Sequence, residues 1–140
     1  MINEVRNVSK ILLLLVMIFM HIVDDYYLQG WLASAKQKKY WEKNAPDDMY
    51  KHDYIMALFM HSFSWTFMIM IIPSVYALVV TTNINNVSLA IVLVFLINLC
   101  VHMATDNGKA NLKRINLVQD QLIHLAQIII TWVSFVLLNV

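Results

Sequence analysis

The sequence predicts an all-α, polytopic membrane protein, with four transmembrane helices bundled around a buried His/Asp cluster. Three observations carry that expectation. Of the 140 residues, 60% are hydrophobic and only 14% are charged, with a mean hydropathy of +0.63, well above an ordinary globular mix. The apolar residues gather into four segments, each long enough to cross a bilayer of about 30 Å at about 1.5 Å per residue. These segments carry His and Asp side chains that would be costly against lipid. At this length one domain over residues 1–140 is the natural count.

The first helix is expected over residues 9–31. Its apolar run, ILLLLVMIFM, passes directly into HIVDDYYLQG. Residues 11–23 alone are too short to span, so His21, Asp24 and Asp25 are expected inside the helix, facing protein or trapped water. Arg6, Lys10 and the run after them resemble a signal peptide, with Ala33-Ser34-Ala35 mimicking a cleavage site. The polar stretch between run and site is too long and too charged for that, and residues 1–30 are read as retained. The second helix is expected over residues 54–80 with a kink at Pro73, the third over 87–107 and the fourth over 117–138.

The connectors set the topology. TTNINN (residues 81–86) is short and uncharged, whereas residues 32–53 carry Lys36, Lys38, Lys39, Lys43 and Lys51, and the third connector carries Lys109, Lys113 and Arg114. Eight of the ten Lys and Arg residues therefore share one side. The positive-inside tendency places that side in the cytoplasm and both termini outside, with Arg6 and Lys10 opposing. The lysines of residues 36–51 read as a solvated face near anionic headgroups that also attracts an anionic substrate. The Met, Trp and Tyr residues read as lipid-facing packing and interface anchors.

Three His/Asp pairs recur at one spacing: His21 with Asp25, His102 with Asp106, and Asp120 with His124 in reverse order. On a helix, i and i+4 share a face, so each pair projects to one point. Helices one and three approach the charged side at their ends and helix four leaves it at its start, so the reversed order presents similar chemistry at similar depth. His61 lies at matching depth on helix two and is a further candidate. His52, at the mouth, is the weaker choice. Imidazole and carboxylate together suit zinc above all, with manganese or iron as alternatives, and a cluster of this size could hold one or two ions. The metal ligands are drawn from His21, Asp25, His61, His102, Asp106, Asp120 and His124. Interhelical hydrogen bonding alone is the competing explanation. The single cysteine, Cys100, excludes an internal disulfide and a cysteine-based zinc cluster.

HIVDDYYLQGWLASAK resembles the His-x-x-x-Asp-(aromatic)-x-x-Gln signature that opens domain-of-unknown-function family 3307, small integral membrane proteins of bacteria and phages. HMATDNGK is similar to its His-x-x-x-Asp-x-x-Lys element and DQLIH to its Asp-Gln-x-x-His element, in the family's order. The resemblance carries over His21, Asp25, Gln29, His102, Asp106, Lys109, Asp120, Gln121 and His124. Asp24 stands where the family often has a small residue, and the lysine-rich stretch 37–51 departs from it. The resemblance implies a bacterial inner-membrane protein and brings no established activity.

Three functions are weighed on these residues. The leading one is a metal-dependent hydrolase open to the cytoplasmic leaflet, in which Asp25 or Asp106 activates water while Lys109 and Gln29 position a phosphoryl or carbonyl oxygen. A phosphorylated lipid or nucleotide-like anion suits its basic mouth. The second is transport of an ion or small solute through the same polar layer, which needs a homo-oligomer because four helices make a thin wall. The third is a phage-related regulatory or interaction protein with a structural cluster. The bilayer is the expected partner in each, and a net charge of +1 argues against a nucleic acid polymer.

Overall fold

The computed structural model describes residues 2–80 and 83–137, and the side chains of residues 9–79 and 83–136. Four long helices dominate: α1 (Ile2–Ile22), α4 (Asp53–Val80), α5 (Ile84–Ala110) and α6 (Leu117–Leu137). Between α1 and α4 lie a π-helical turn (Val23–Leu28), two short helices α2 (Leu32–Ala35) and α3 (Lys38–Asn44), and a 3-10 turn (Asp48–Tyr50).

The boundaries have local causes. The first helix was expected to continue to residue 31, but it ends as a π turn followed by Gly30 at φ +48°, a left-handed conformation that glycine adopts without a Cβ clash. Residues 32–53, expected as a connector, fold into α2, α3 and the 3-10 turn. Helix α5 starts before residue 87 because the Asn83 side chain accepts a hydrogen bond from the Asn86 amide at 3.4 Å. Helix α6 opens on a reciprocal cap: Asn116 Oδ1 accepts from the Gln119 amide at 2.9 Å, and Gln119 Oε1 accepts from the Asn116 amide at 3.0 Å. Helix α4 runs unbroken through Pro73. Thr81, Thr82 and Leu138, part of the expected connector and fourth helix, lie outside the described residues.

Helix α4 packs against α1 and α5, and α6 packs against α5 and α1, so the four long helices close a ring. Short connections make chain neighbours antiparallel. Leu13, Met17, Trp65, Ile69, Ile128 and Phe135 are among the buried residues that fill one part of the interior. A polar clasp joins α5 to α6: Asn98 Nδ2 donates to Thr131 Oγ1 at 2.8 Å, and Gln127 Nε2 donates to the Asn98 carbonyl at 2.7 Å.

Three helical stretches, Ser9–Leu28, Asp48–Val79 and Ile84–Ala110, are long and apolar enough to cross a membrane. Helix α6, with Gln119, Asp120, Gln121, His124 and Gln127, does not meet that measure over its described residues. The bundle carries large apolar side chains on its outside and, beside its apolar cluster, buried polar ones. Phe19, Phe67, Leu93, Ile97 and Ile130 face outward, while His21, Asp24, His61, His102, Asp106 and His124 are buried.

Candidate metal centre

Each long helix delivers its polar side chains to one level. On α5 and α6 the pairs His102/Asp106 and Asp120/His124 follow from i,i+4 spacing. At the end of α1 the backbone itself changes. The Gln29 amide donates to the Asp24 carbonyl at 3.0 Å, an i+5 bond, which widens the turn. Consecutive Asp24 and Asp25 can then both enter the bundle, where an α-helical turn would splay neighbouring residues apart. Their side chains are 1% and 7% exposed.

The imidazole Nε2 atoms of His61 and His102 lie 3.2 Å apart. His61 Nε2 is 3.3 Å from Asp25 Oδ1 and 3.3 Å from Asp106 Oδ2. His124 Nε2 is 3.3 Å from Asp106 Oδ1 and 3.5 Å from Asp120 Oδ1. Trp65, His102 and His124 form a stack, with ring centroids 4.1 and 4.2 Å apart, which fixes two of the imidazole planes.

Three of the carboxylates divide their oxygens between two sides. Their Oδ1 atoms lie toward the imidazoles, and Asp106 Oδ2 also lies 3.3 Å from His61 Nε2. Their Oδ2 atoms meet donors: Lys36 Nζ at Asp106 (2.5 Å), Lys109 Nζ at Asp120 (2.6 Å) and Gln121 Nε2 at Asp25 (3.3 Å). Lys36 is held there because Asn111, at the end of α5, clasps the α2–α3 junction: its Nδ2 donates to the Lys36 carbonyl at 3.0 Å and its Oδ1 accepts from the Lys38 amide at 2.7 Å.

A directional relay orients this layer. The Trp65 indole N–H donates to His21 Nδ1 at 2.7 Å. Indole is a donor only, so His21 carries its proton on Nε2, which donates to Gln121 Oε1 at 3.1 Å. Gln121 Nε2 in turn faces Asp25 Oδ2 and Asp120 Oδ2 at 3.3 and 3.2 Å. His21, expected as a ligand, therefore has both ring nitrogens committed to protein partners and orients Gln121. Asp24 accepts from the Ser64 hydroxyl at 2.5 Å and lies 3.6 Å from His61 Nδ1. It stands behind the His61 ring, with Oδ2 near Nδ1 but without a hydrogen-bond partner, at the position from which a carboxylate supports an imidazole whose other nitrogen binds a metal.

The donor set fits a metal ion. Metal–nitrogen bonds of about 2.0–2.1 Å place neighbouring donors about 3.3–3.4 Å apart in tetrahedral geometry and about 2.8–3.0 Å apart in octahedral, and the inner contacts above run from 3.2 to 3.5 Å. Asp25 Oδ1, Asp120 Oδ1 and His124 Nε2 are buried without a hydrogen-bond partner, a costly state that a cation relieves. Asp25, His61 and His102 form one group that could hold an ion, and His102, Asp106 and His124 form another, each with donor atoms within 4.8 Å.

A cavity of about 270 Å³ opens onto this layer from the side of α2 and the α5–α6 connector, lined in part by Asp25, Gln29, Lys36, Asp106, Lys109 and Lys113. Gln29 Nε2 lies 3.2 Å from His61 Nε2. His52 is exposed and has no described contact with the cluster. Sequence reasoning missed Lys36, which it counted among solvated lysines although the residue is 8% exposed. It also missed Trp65, whose i,i+4 spacing from His61 was an available signal. Compared with protein-family models, curated proteins and solved structures, the chain finds no match.

Proposed function

We propose that this chain is a membrane-embedded, metal-dependent hydrolase whose cavity opens to the cytoplasmic leaflet of a bacterial inner membrane. The observation that carries the reading is the set of inward imidazole nitrogens and carboxylate oxygens at 3.2–3.5 Å spacing beneath an open cavity. A purely structural site closes its coordination, whereas a catalytic one keeps an open side. Asp25, His61 and His102, or His102, Asp106 and His124, would hold the ion, zinc fitting this nitrogen-rich set best. With all carboxylates ionised, Asp24, Asp25, Asp106 and Asp120 outnumber Lys36 and Lys109 by two charges, which one divalent ion offsets. Once bound, it would polarise a phosphoryl or carbonyl oxygen and acidify a water. Asp120 Oδ1 is placed to take that water's proton, and Gln29 and Lys109 to position the substrate oxygen.

Membrane insertion is supported by the three long apolar helical stretches and the outward-facing Phe, Leu and Ile side chains. In this reading α6 is the fourth span, its polar first turns turned inward. The eight Lys and Arg of the connectors support a cytoplasmic side for the cavity by the positive-inside tendency. The resemblance to domain-of-unknown-function family 3307 is consistent with that location. Metal analysis of detergent-purified protein tests the proposal. Stoichiometric zinc that is lost in His102→Ala, together with chelator-sensitive release of phosphate from a simple aryl phosphate, is expected. Metal-free wild-type protein at purification and after zinc addition would overturn the metal centre. Zinc without hydrolysis of phosphate or carboxylic esters would overturn the catalytic part.

A further inference from the structure

The cavity walls carry a third lysine, Lys113, beyond the two that the metal charge balance counts. Lys36, Lys109 and Lys113 all line it, next to the amides of Gln29 and Gln121. Lys36 and Lys109 sit on the Oδ2 atoms of Asp106 and Asp120, the oxygens turned away from the neighbouring His124 Nε2. Lys113 holds a left-handed backbone, φ 55°, at the turn that follows α5, a conformation uncommon for a residue with a Cβ. Lysine is a compact point charge well suited to phosphate.

The geometry points to a phosphate subsite in this cavity, formed by Lys36, Lys109 and Lys113 immediately outside the metal-holding oxygens; it rests on the metal centre proposed above. Asp25, Asp106 and Asp120 share the same cavity, so without a cation below them they repel an anion. With the inner oxygens engaged by a divalent ion, the lysine ammonium groups are free to turn toward a ligand. A dianionic phosphate answers several cations at once, where a single carboxylate answers one. Phosphate binding is therefore conditional on metal. The phosphate can be free or carried on a lipid headgroup, since the chemistry at the lysines is the same.

The test uses the purified full chain in nanodiscs of phosphatidylcholine, with zinc content and retention of radiolabelled inorganic phosphate measured on the same samples. Zinc-loaded protein is expected to bind phosphate at least tenfold more tightly than chelated protein. Lys109→Gln and Lys113→Gln are each expected to weaken phosphate binding about tenfold with zinc content unchanged, and Lys109→Arg to restore most of it. Lys113 is exposed, so its variant serves if Lys109→Gln does not fold. Nanodiscs doped with phosphatidic acid identify the source: competition with free phosphate assigns a lipid headgroup, and its absence assigns a soluble phosphate, both supporting the subsite. Zinc-loaded protein that ignores phosphate, or Lys113→Gln protein that binds it as wild type does, overturns the subsite and leaves the metal centre standing. A wild-type chain that takes up no zinc fails at the metal centre instead, and overturns the conditional binding with it.

Discussion

On α1 and the π turn that follows it the interior stripe reads Leu13, Met17, His21, Asp25, and on α6 it reads Asp120, His124, Ile128, Thr131, Phe135 in the opposite spatial order. With Thr131 included on α6, the spacing along each stripe stays at three or four residues while the chemistry changes half-way, from residues that mostly fill space to residues that must present a particular atom. In the apolar half, Met17, Ile69, Met70 and Ile128 meet as surfaces, and volume-conserving exchanges are tolerated. In the polar half, Asp106 meets Lys36 with one oxygen and His124 with the other, so an isosteric change that removes charge removes a function. One periodic scaffold thus supports two regimes, and substitutions separate them.

Asp106→Asn should have the largest effect. It withdraws an anionic donor shared by His61, His124 and Lys36, and zinc content measured by elemental analysis should fall to near zero while the protein remains helical by circular dichroism. Chelation comes next. A ligand present at about 100 times its Kd stabilises the folded state by about 2.7 kcal/mol, so adding chelator to zinc-loaded wild type should lower its thermal midpoint, and the Asp106→Asn protein should show no such drop. Asp24→Asn should be intermediate: loss of a carboxylate behind a metal-facing imidazole lowers affinity about 10–100-fold, readable by competition with a zinc indicator at unchanged stoichiometry. Ile128→Val probes the other half, costing about 0.5–1.5 kcal/mol of stability with zinc affinity as in wild type. His52→Ala, on an exposed residue, should alter neither quantity. Equal zinc loss in Ile128→Val and Asp24→Asn would erase the distinction between the two halves.

The legible part of the site was what helical periodicity encodes. His102 with Asp106, and Asp120 with His124, were readable because a regular helix turns a spacing of four into a shared face. His61 was placed by counting depth from its helix start. Two features were hidden for physical reasons. Asp24 was expected to face protein, but its place beside His61 was not readable, because it sits one residue off the α-helical register and the i+5 bond at Asp24–Gln29 sets its direction. Lys36 looks like its neighbours Lys38 and Lys39 in a polar run; its burial comes from Asn111, 75 positions away. His21 had the right spacing for a ligand, but its role depends on Trp65 and Gln121 from other helices. The helical class followed from composition and patterning, whereas α2 and α3 lay inside a segment whose lysines read as a solvated connector.

The π turn at Val23–Leu28 also makes chain length matter. In effect it stores one residue more than the helix needs, and that surplus is what lets two adjacent acids face the same way. Deleting one of the tyrosines there would leave α1 long enough but rotate everything beyond the deletion by about 100°, swinging Gln29 away from His61. The segment should therefore absorb an Asp24→Asn exchange far better than the loss of a neighbouring tyrosine, so its composition is more negotiable than its length.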